Sequence, residues 1–244
     1  MQRFFLADLN TTNFTFVLTD EDMIHQLVKV LRVKIWEKII FFDGEEDFDY
    51  IFQIKQINKK DIVLDQVWRN EKKTEIDFEL NLYQSIPNKL DKIEYIIQKW
   101  VEVWIKNFVF YRSERSQKLI VSDNKIDRLN KIIIEAVEQS GRNYVPELVI
   151  LDKFDFSVLK NDENIIFHTF SHESTSLKEL KLDFTKNINL FVWPEWWFSD
   201  AEMKEFKKIF WKKVHLWDRI LRTETTGIVT SFFIIQNREY AVQE

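Results

Sequence analysis

Cysteine is absent from this chain of 244 residues, so disulfides and thiolate metal sites are excluded, and metal ligation would fall to Asp, Glu and only 4 His. No metal site is therefore expected. Long apolar runs are missing too: no stretch approaches the roughly 18 to 20 residues that span a bilayer. The opening MQRFFLADLN lacks the uninterrupted apolar core of a signal peptide. A cytoplasmic protein with no membrane partner is the resulting expectation. An excess of positive charge is also lacking. The net charge of -5 excludes a protein that coats nucleic acid indiscriminately, because that affinity comes from basic groups neutralising phosphates. Local basic patches remain, at Lys29, Arg32 and Lys34 and at Arg112, Arg115 and Lys118, with scattered solvated charge as the alternative reading.

Glycine is the most informative shortage. Only 3 occur in 244 residues, against a usual share of about 7%. The abundance of Lys, Ile, Asn and Phe fits an AT-rich gene, which would deplete GC-rich glycine codons. The ordinary tryptophan codon is G-rich as well, yet tryptophan reaches 9. Codon bias does not account for that excess.

With 45% hydrophobic residues the chain is far too apolar for disorder. Residues 4–68 read as short β-segments, FFLADL, FTFVLT, KIIFFDG, YIFQIKQI and DIVLDQVW, with the period-2 alternation of half-buried strands clearest in YIFQIKQI. A small β-barrel is the natural architecture. One helical stretch near 21–31, capped by Thr19 or Asp20, carries His25, Lys29 and Arg32 on a partly polar surface that could face RNA. The charged run RNEKKTEI at 69–76 marks a linker, which divides the chain into domains 1–72 and 73–244. Beyond it strands alternate with helices, at about 89–105, 123–140, 200 onward and 223 onward. That pattern is an α/β domain with a mostly parallel sheet.

The segment NLFVWPEWWFSDAEMKEF is an apolar strand, a loop and a helix opened by a capping box of Ser199 and Glu202. Such strand-to-helix loops bind ligands in α/β proteins, and they usually need glycine so that bare backbone N–H groups can close on the ligand. Here Trp193, Trp196 and Trp197 stand in that loop. His168 and His172 have the spacing of a helical metal pair but flank an apolar strand with no third ligand nearby, so no metal is assigned to them.

With glycine at those three positions the loop reads GPEGGFS, and with glycine at Trp217 the later segment reads VHLGDRILRTETTGIV. Together they resemble the signature loops of the uracil-N3 16S ribosomal RNA methyltransferase family of the SPOUT superfamily. HQLVKVLRVKIWEKIIFFDG, KIEYIIQKWVEVWI followed by YRSERS, and EAVEQSGRNYVPEL extend the resemblance over nearly the whole chain. It implies a PUA-like N-terminal β-barrel that binds RNA, a C-terminal domain tied in a trefoil knot, and a homodimer. It also implies S-adenosylmethionine as cofactor and 16S ribosomal RNA or the small ribosomal subunit as partner.

On this sequence the resemblance places cofactor binding at Trp193, Glu195, Trp196, Trp197 and Phe198, and at Leu216, Trp217, Ile220, Leu221, Arg222, Thr223, Glu224 and Thr225. His172 and Glu173 lie where a third cofactor loop would be. Arg222 and Glu224 are the candidates for catalysis, with mutual pairing or helix capping as the alternative. His25, Lys29, Arg32, Arg112, Arg115 and Arg142 are assigned to RNA, since the planar guanidinium grips phosphate and stacks on splayed bases. Glu102 and Glu138 are candidate partners for those arginines.

The family pattern expects glycine at Trp36, Trp104, Trp193, Trp196, Trp197, Trp211 and Trp217, and tolerates it at Trp100; Trp68 is uninformative. Two readings follow. In one, the source organism reads UGA as glycine and the chain is an active methyltransferase. In the other, the tryptophans are real and plug the cofactor pocket or stack on bases in a non-catalytic RNA-binding protein.

Overall fold

The computed structural model describes residues 1–9, 13–114, 119–159, 161–167, 174–192, 199–208, 211–216 and 221–242. The chain divides into two compact units, Met1–Glu75 with Val137–Val145, and Ile76–Ala136 with Pro146–Glu244.

In the first unit, β1 (Arg3–Phe5), β2 (Thr15–Leu18), β3 (Lys38–Phe42), β4 (Phe48–Ile57) and β5 (Ile62–Glu71) form one sheet in the order β1-β3-β4-β5-β2. Only the β1–β3 pair is parallel. Alternation places Phe41, Phe52, Ile54, Ile62 and Leu64 in one buried cluster, which Leu27 joins. Register shifts near Ile51/Phe52 and Ile54/Gln56 bend β4 against β5. Leu27 comes from the helical insert, α1 (Glu21–His25) running into a π-turn at Gln26–Val30; Asp20 caps it by accepting from the Met23 amide at 2.7 Å. The charged run at 69–76 corrects the linker expectation, because Arg69, Asn70 and Glu71 pair with Tyr50, Asp49 and Phe48. A ladder needs only backbone, and the side chains of these three residues lie exposed.

The second unit holds β6 (Leu80–Ser85), α2 (Leu90–Val101), β7 (Asn107–Tyr111), α3 (Asp123–Ser140), β8 (Glu147–Leu151), β9 (Glu163–Phe167), β10 (Thr175–Ser176), β11 (Ile188–Val192), α4 (Asp200–Lys208), β12 (Lys212–His215) and α5 (Thr223–Val242). The last turn of α3 is counted with the first unit. All strand pairs are parallel, in the order β10-β12-β9-β11-β6-β7-β8. Strands buried on both faces need near-continuous apolar sequence, and NLFV and NIIF supply it. Tyr83, Val109, Tyr111, Ile166 and Phe191 pack with Phe206 of α4 and the Phe156–Leu159 turn; α5 lies against β11 and α2. β8 and β10 were not among the expected strands.

One row across this sheet is polar. Asn164, Asn189, Asn81 and Asn107 lie side by side in β9, β11, β6 and β7. Asn107 donates to Asn81 at 2.7 Å, Asn81 to Asn189 at 3.0 Å and Asn189 to Asn164 at 2.9 Å. Asn164 ends the row by donating to the Leu159 carbonyl at 2.8 Å.

Among the described residues five backbones are left-handed: Gly44, Gly141, Arg32, Trp36 and Trp104. Trp104 (φ +63°) follows the end of α2, where its N–H reaches the Val101 carbonyl and that of Ile105 reaches the Trp100 carbonyl. This double closure is the Schellman motif, and Trp104 holds the position usually given to glycine. Trp36 (φ +76°) is third in a turn closed from Glu37 to Lys34, with Ile35 not left-handed, which is a type II turn and again demands glycine. Trp100 is fully buried, and a Cβ at Gly227 of α5 would fall 1.5 Å from its Cζ2, so the pair 100/227 admits only one side chain.

Two stability predictions follow from the backbone and the asparagine row. Trp36→Gly is expected to raise stability by about 1 kcal/mol by releasing left-handed strain, while Trp68→Gly, equally exposed but in β5, is expected to lower it by about 0.5–1 kcal/mol; urea unfolding midpoints read both. Asn81→Ala, which strands the amides of half-buried Asn107 and buried Asn189, is expected to cost about 2–4 kcal/mol by the same measurement.

Candidate active site and nucleic-acid surface

Parallel strands deliver their loops to one edge, and the carboxyl ends of β12, β9 and β11 are neighbours in the second unit. The segments leaving them are 216–222, 168–173 and 193–198. A fourth end, that of β7, leads into Arg112–Glu114. Of the expected cofactor residues, Trp193, Glu195, Trp196, Trp197, Phe198, Trp217 and Ile220 lie outside the described residues, as do Arg115, His168, His172 and Glu173.

The described part of the second loop converges on the start of α5. The Arg222 carbonyl accepts from the Thr225 and Thr226 amides at 2.9 and 3.0 Å, so it caps the helix. The side chain of Arg222 is 86% exposed, and its Nη1 stands 3.9 Å from Glu224 Oε1. So open a pair contributes at most about 1 kcal/mol. Leu216, Leu221, Thr223, Glu224 and Thr225 are half-buried around it. The turn is held from below by Trp100, whose indole N–H donates to the Glu224 carbonyl at 3.3 Å. Sequence reasoning did not give Trp100 this role, since such a contact joins residues 124 apart in the chain.

At the other side of the edge the capping box is formed: Glu202 accepts from the Ser199 amide at 2.8 Å and Ser199 Oγ from the Glu202 amide at 3.1 Å. Arg112 is half-buried with Asp152 at 3.6 Å. Glu102 pairs with Lys99 at 2.9 Å, not with an arginine.

In the first unit His25, Lys29, Arg32 and Lys34 are all exposed, beside exposed Val30, Ile35 and Trp36. Arg32 adopts φ +54° just after the π-turn, a left-handed position where a long side chain is costly. Arg142 corrects the RNA assignment. It is only 4% exposed and forms a fork on Glu75, Nε to Oε1 at 3.0 Å and Nη2 to Oε2 at 2.5 Å. Its donors face the interior, so it is a structural residue of that unit. Glu138 accepts from the Phe5 amide at 2.9 Å, also within the first unit.

Residues 74–234 match the RNA methyltransferase domain family. The ribosomal RNA small subunit methyltransferase E of Buchnera aphidicola subsp. Acyrthosiphon pisum is 33% identical, over 91% of this chain and 87% of that protein. This chain belongs to that family of RNA methyltransferases. The Bacillus subtilis member is 27% identical over 93% of both chains. The crystal structure of the Neisseria gonorrhoeae member bound to S-adenosyl methionine superposes with a TM-score of 0.83 at 25% identity, covering 95% of each chain. Among the described residues no group of His, Asp and Glu could hold a metal, and no helix is long and apolar enough to cross a membrane.

The two kinds of arginine are separable by stability. Glu75→Ala, which takes the carboxylate away from the buried Arg142 guanidinium, is expected to cost about 3–5 kcal/mol. Arg32→Gly is expected to raise stability by about 1 kcal/mol. Thermal and urea unfolding of the two variants check both signs.

Proposed function

We propose that this methyltransferase transfers a methyl group from S-adenosylmethionine to N3 of a uridine in 16S ribosomal RNA, free or within the small ribosomal subunit in the cytoplasm. We propose also that tryptophan at 36, 100, 104, 193, 196, 197, 211 and 217 stands for glycine encoded by UGA. One observation carries the second part and with it the first: among the described residues, two of the three non-glycine residues held at left-handed φ are Trp36 and Trp104, both positions of the glycine pattern that the resemblance implies. Codon misreading predicts that coincidence, whereas selection for indoles at a Schellman cap and a type II turn opposes the backbone. Gly227 facing Trp100 adds to it, because two small residues there would let α2 and α5 cross closely.

The described residues fit the cofactor in part. Three adjacent strand ends lead toward the expected site, and the sequence after β11 carries three tryptophans where a backbone that closes on a ligand usually needs glycine. With glycine there, Glu195, Phe198, Leu216, Ile220, Leu221 and Thr223 to Thr225 would hold it. When bound, S-adenosylmethionine supplies an electrophilic methyl on a sulfonium sulfur. The chain contributes alignment and charge. In this reading Arg222 lays its exposed guanidinium against the uracil oxygens, favouring loss of the N3 proton, and Glu224 accepts that proton or orients Arg222, a role their 3.9 Å separation supports.

The first unit is proposed as a PUA-like β-barrel that presents His25, Lys29 and Arg32 to RNA, with Arg112 and Arg115 contributing from the second. A trefoil knot in the second unit and a two-fold dimer through α5 complete the reading. Phe232 of α5, 57% exposed, supports the dimer by offering a large apolar side chain to a second copy.

Calorimetric titration of S-adenosylmethionine into the chain as written and into a version with glycine at the eight positions tests this. Binding and RNA methylation confined to the glycine version are expected, and Arg222→Ala in that version is expected to lower kcat at least about a hundredfold with unfolding unchanged. Failure of both folded versions to bind would remove the enzyme reading in favour of an RNA-binding protein, as would UGG codons at Trp193, Trp196 and Trp197.

A further inference from the structure

Lys59 and Lys60 form the tip of the β4–β5 hairpin, and both are exposed. Ile57 pairs with Ile62, and inside that pair the Asn58 amide donates to the Asp61 carbonyl at 2.9 Å, so the two lysines are the turn itself. Hairpin loops of two residues favour left-handed backbone and hence residues such as Asn-Gly. Neither lysine is left-handed. Side chains hold the turn instead: the Gln56 amide donates to Asn58 Oδ1 at 2.7 Å, and the Asn58 amide donates to Asp61 Oδ1 at 2.6 Å. Two lysines thus stand where turn chemistry does not ask for them, on a turn that its neighbours have to brace.

Both ends of the helical insert are fastened beside this hairpin. Leu18, the last residue of β2, pairs with Ile62 just after the tip. At the other end the Trp36 amide donates to the Ile54 carbonyl at 2.8 Å, and the Ile54 amide to the Glu37 carbonyl at 2.9 Å. Four residues of strand, about 13 Å, separate Ile54 from Asn58. The insert that carries Lys29, Arg32 and Lys34 therefore starts and ends at the tip end of the sheet. Its acids, Asp20, Glu21 and Asp22, sit at the start of α1, where the helix dipole favours them. Lys55 is taken by Asp65 at 2.8 Å. Lys29, Arg32, Lys34, Lys59 and Lys60 are exposed, and among the described residues none of them has an ion-pair partner. Cations gathered without counter-charge repel one another, a cost that an anionic partner removes.

We infer that the hairpin tip is a second arm of the RNA surface, with Lys59 and Lys60 gripping phosphates of a strand that also meets Lys29, Arg32 and Lys34. This rests on the reading of the first unit as RNA-binding and adds to it an element outside the insert. The contact is to phosphate and not to bases, because an ammonium is a point charge on a flexible stem, whereas base edges are read by paired donors and acceptors. The relay from Gln56 through Asn58 to Asp61 sets the turn before RNA arrives, so less order has to be gained on binding.

The test is the salt dependence of binding of transcribed 16S ribosomal RNA to the full chain without cofactor. Each phosphate contact contributes about 0.7–0.9 to the slope of log K against log salt, so Lys59→Gln combined with Lys60→Gln is expected to lower that slope by about 1.4–1.8 and to weaken binding about tenfold at 0.1 M salt. Lys59→Arg combined with Lys60→Arg is expected to keep the original slope. Lys73→Gln, which removes an exposed charge just beyond the far end of β5, is expected to leave the slope unchanged. Urea midpoints of all variants should coincide, since the substituted side chains are exposed. A slope unaltered by the double Gln variant, or lowered as much per charge by Lys73→Gln, makes the tip ordinary solvated charge and overturns the inference while RNA binding by the chain stands. Absence of RNA binding by the unaltered chain overturns the inference together with the RNA reading of the first unit.

Discussion

The row of asparagines across β9, β11, β6 and β7 is the constraint on which the second unit rests. In a parallel sheet covered on both faces, apolar strands can slide past one another with little penalty from the side chains themselves. A buried amide that must find its neighbour's amide cannot slide, since a one-residue slip would orphan donors and acceptors in a medium without water. The row lies three or four residues from the carboxyl ends of its strands, about 10–13 Å along them. Fixing it therefore fixes the level of the carboxyl ends of β9, β11, β6 and β7 relative to one another.

The second constraint is backbone handedness in a chain with almost no glycine. Gly44 shows how such positions are used: at φ +86° a Cβ would fall 2.7 Å from the Phe5 ring, so conformation and space both demand glycine. Trp36 and Trp104 meet the same conformational demand without the residue that satisfies it. Arg32 differs in kind. It carries a charged, exposed side chain at a left-handed position in the basic patch, the pattern expected where strain is retained for a functional side chain.

Much of the fold was legible. Period-2 alternation gave the strands of the first unit, α3 and the start of α5 fall where apolar spacing placed them, and the Ser199–Glu202 box formed as its spacing implied. The end of β5 was misread because Arg69 to Glu71 are polar or charged, and polarity says nothing about a backbone ladder at a solvated face. Arg142 was misassigned because a sequence shows that an arginine is present but not that Glu75, 67 residues away, claims it. The asparagine row had a visible signal that went unused: each of β6, β7, β9 and β11 carries asparagine at or near its start, before an apolar run. The bond from the Glu114 amide to Glu202 Oε1 at 3.2 Å had none, since nothing local marks a carboxylate that reaches a strand end 88 residues away.

The position of β11 has a consequence for how the chain is made. It lies between β9 and β6, yet it is synthesised after both, and β6 and β9 have no ladder with each other. Domains begin to form as the chain emerges from the ribosome, and here β6, β7 and β8 can pair at once while β9 has to wait. A slot one strand wide must be kept open until residues 188–192 arrive to fill it. Late insertion of a central strand makes folding slow and non-local. Residues 188–192 thus complete the sheet last, and a substitution there bears on how fast the sheet forms as well as on its final stability.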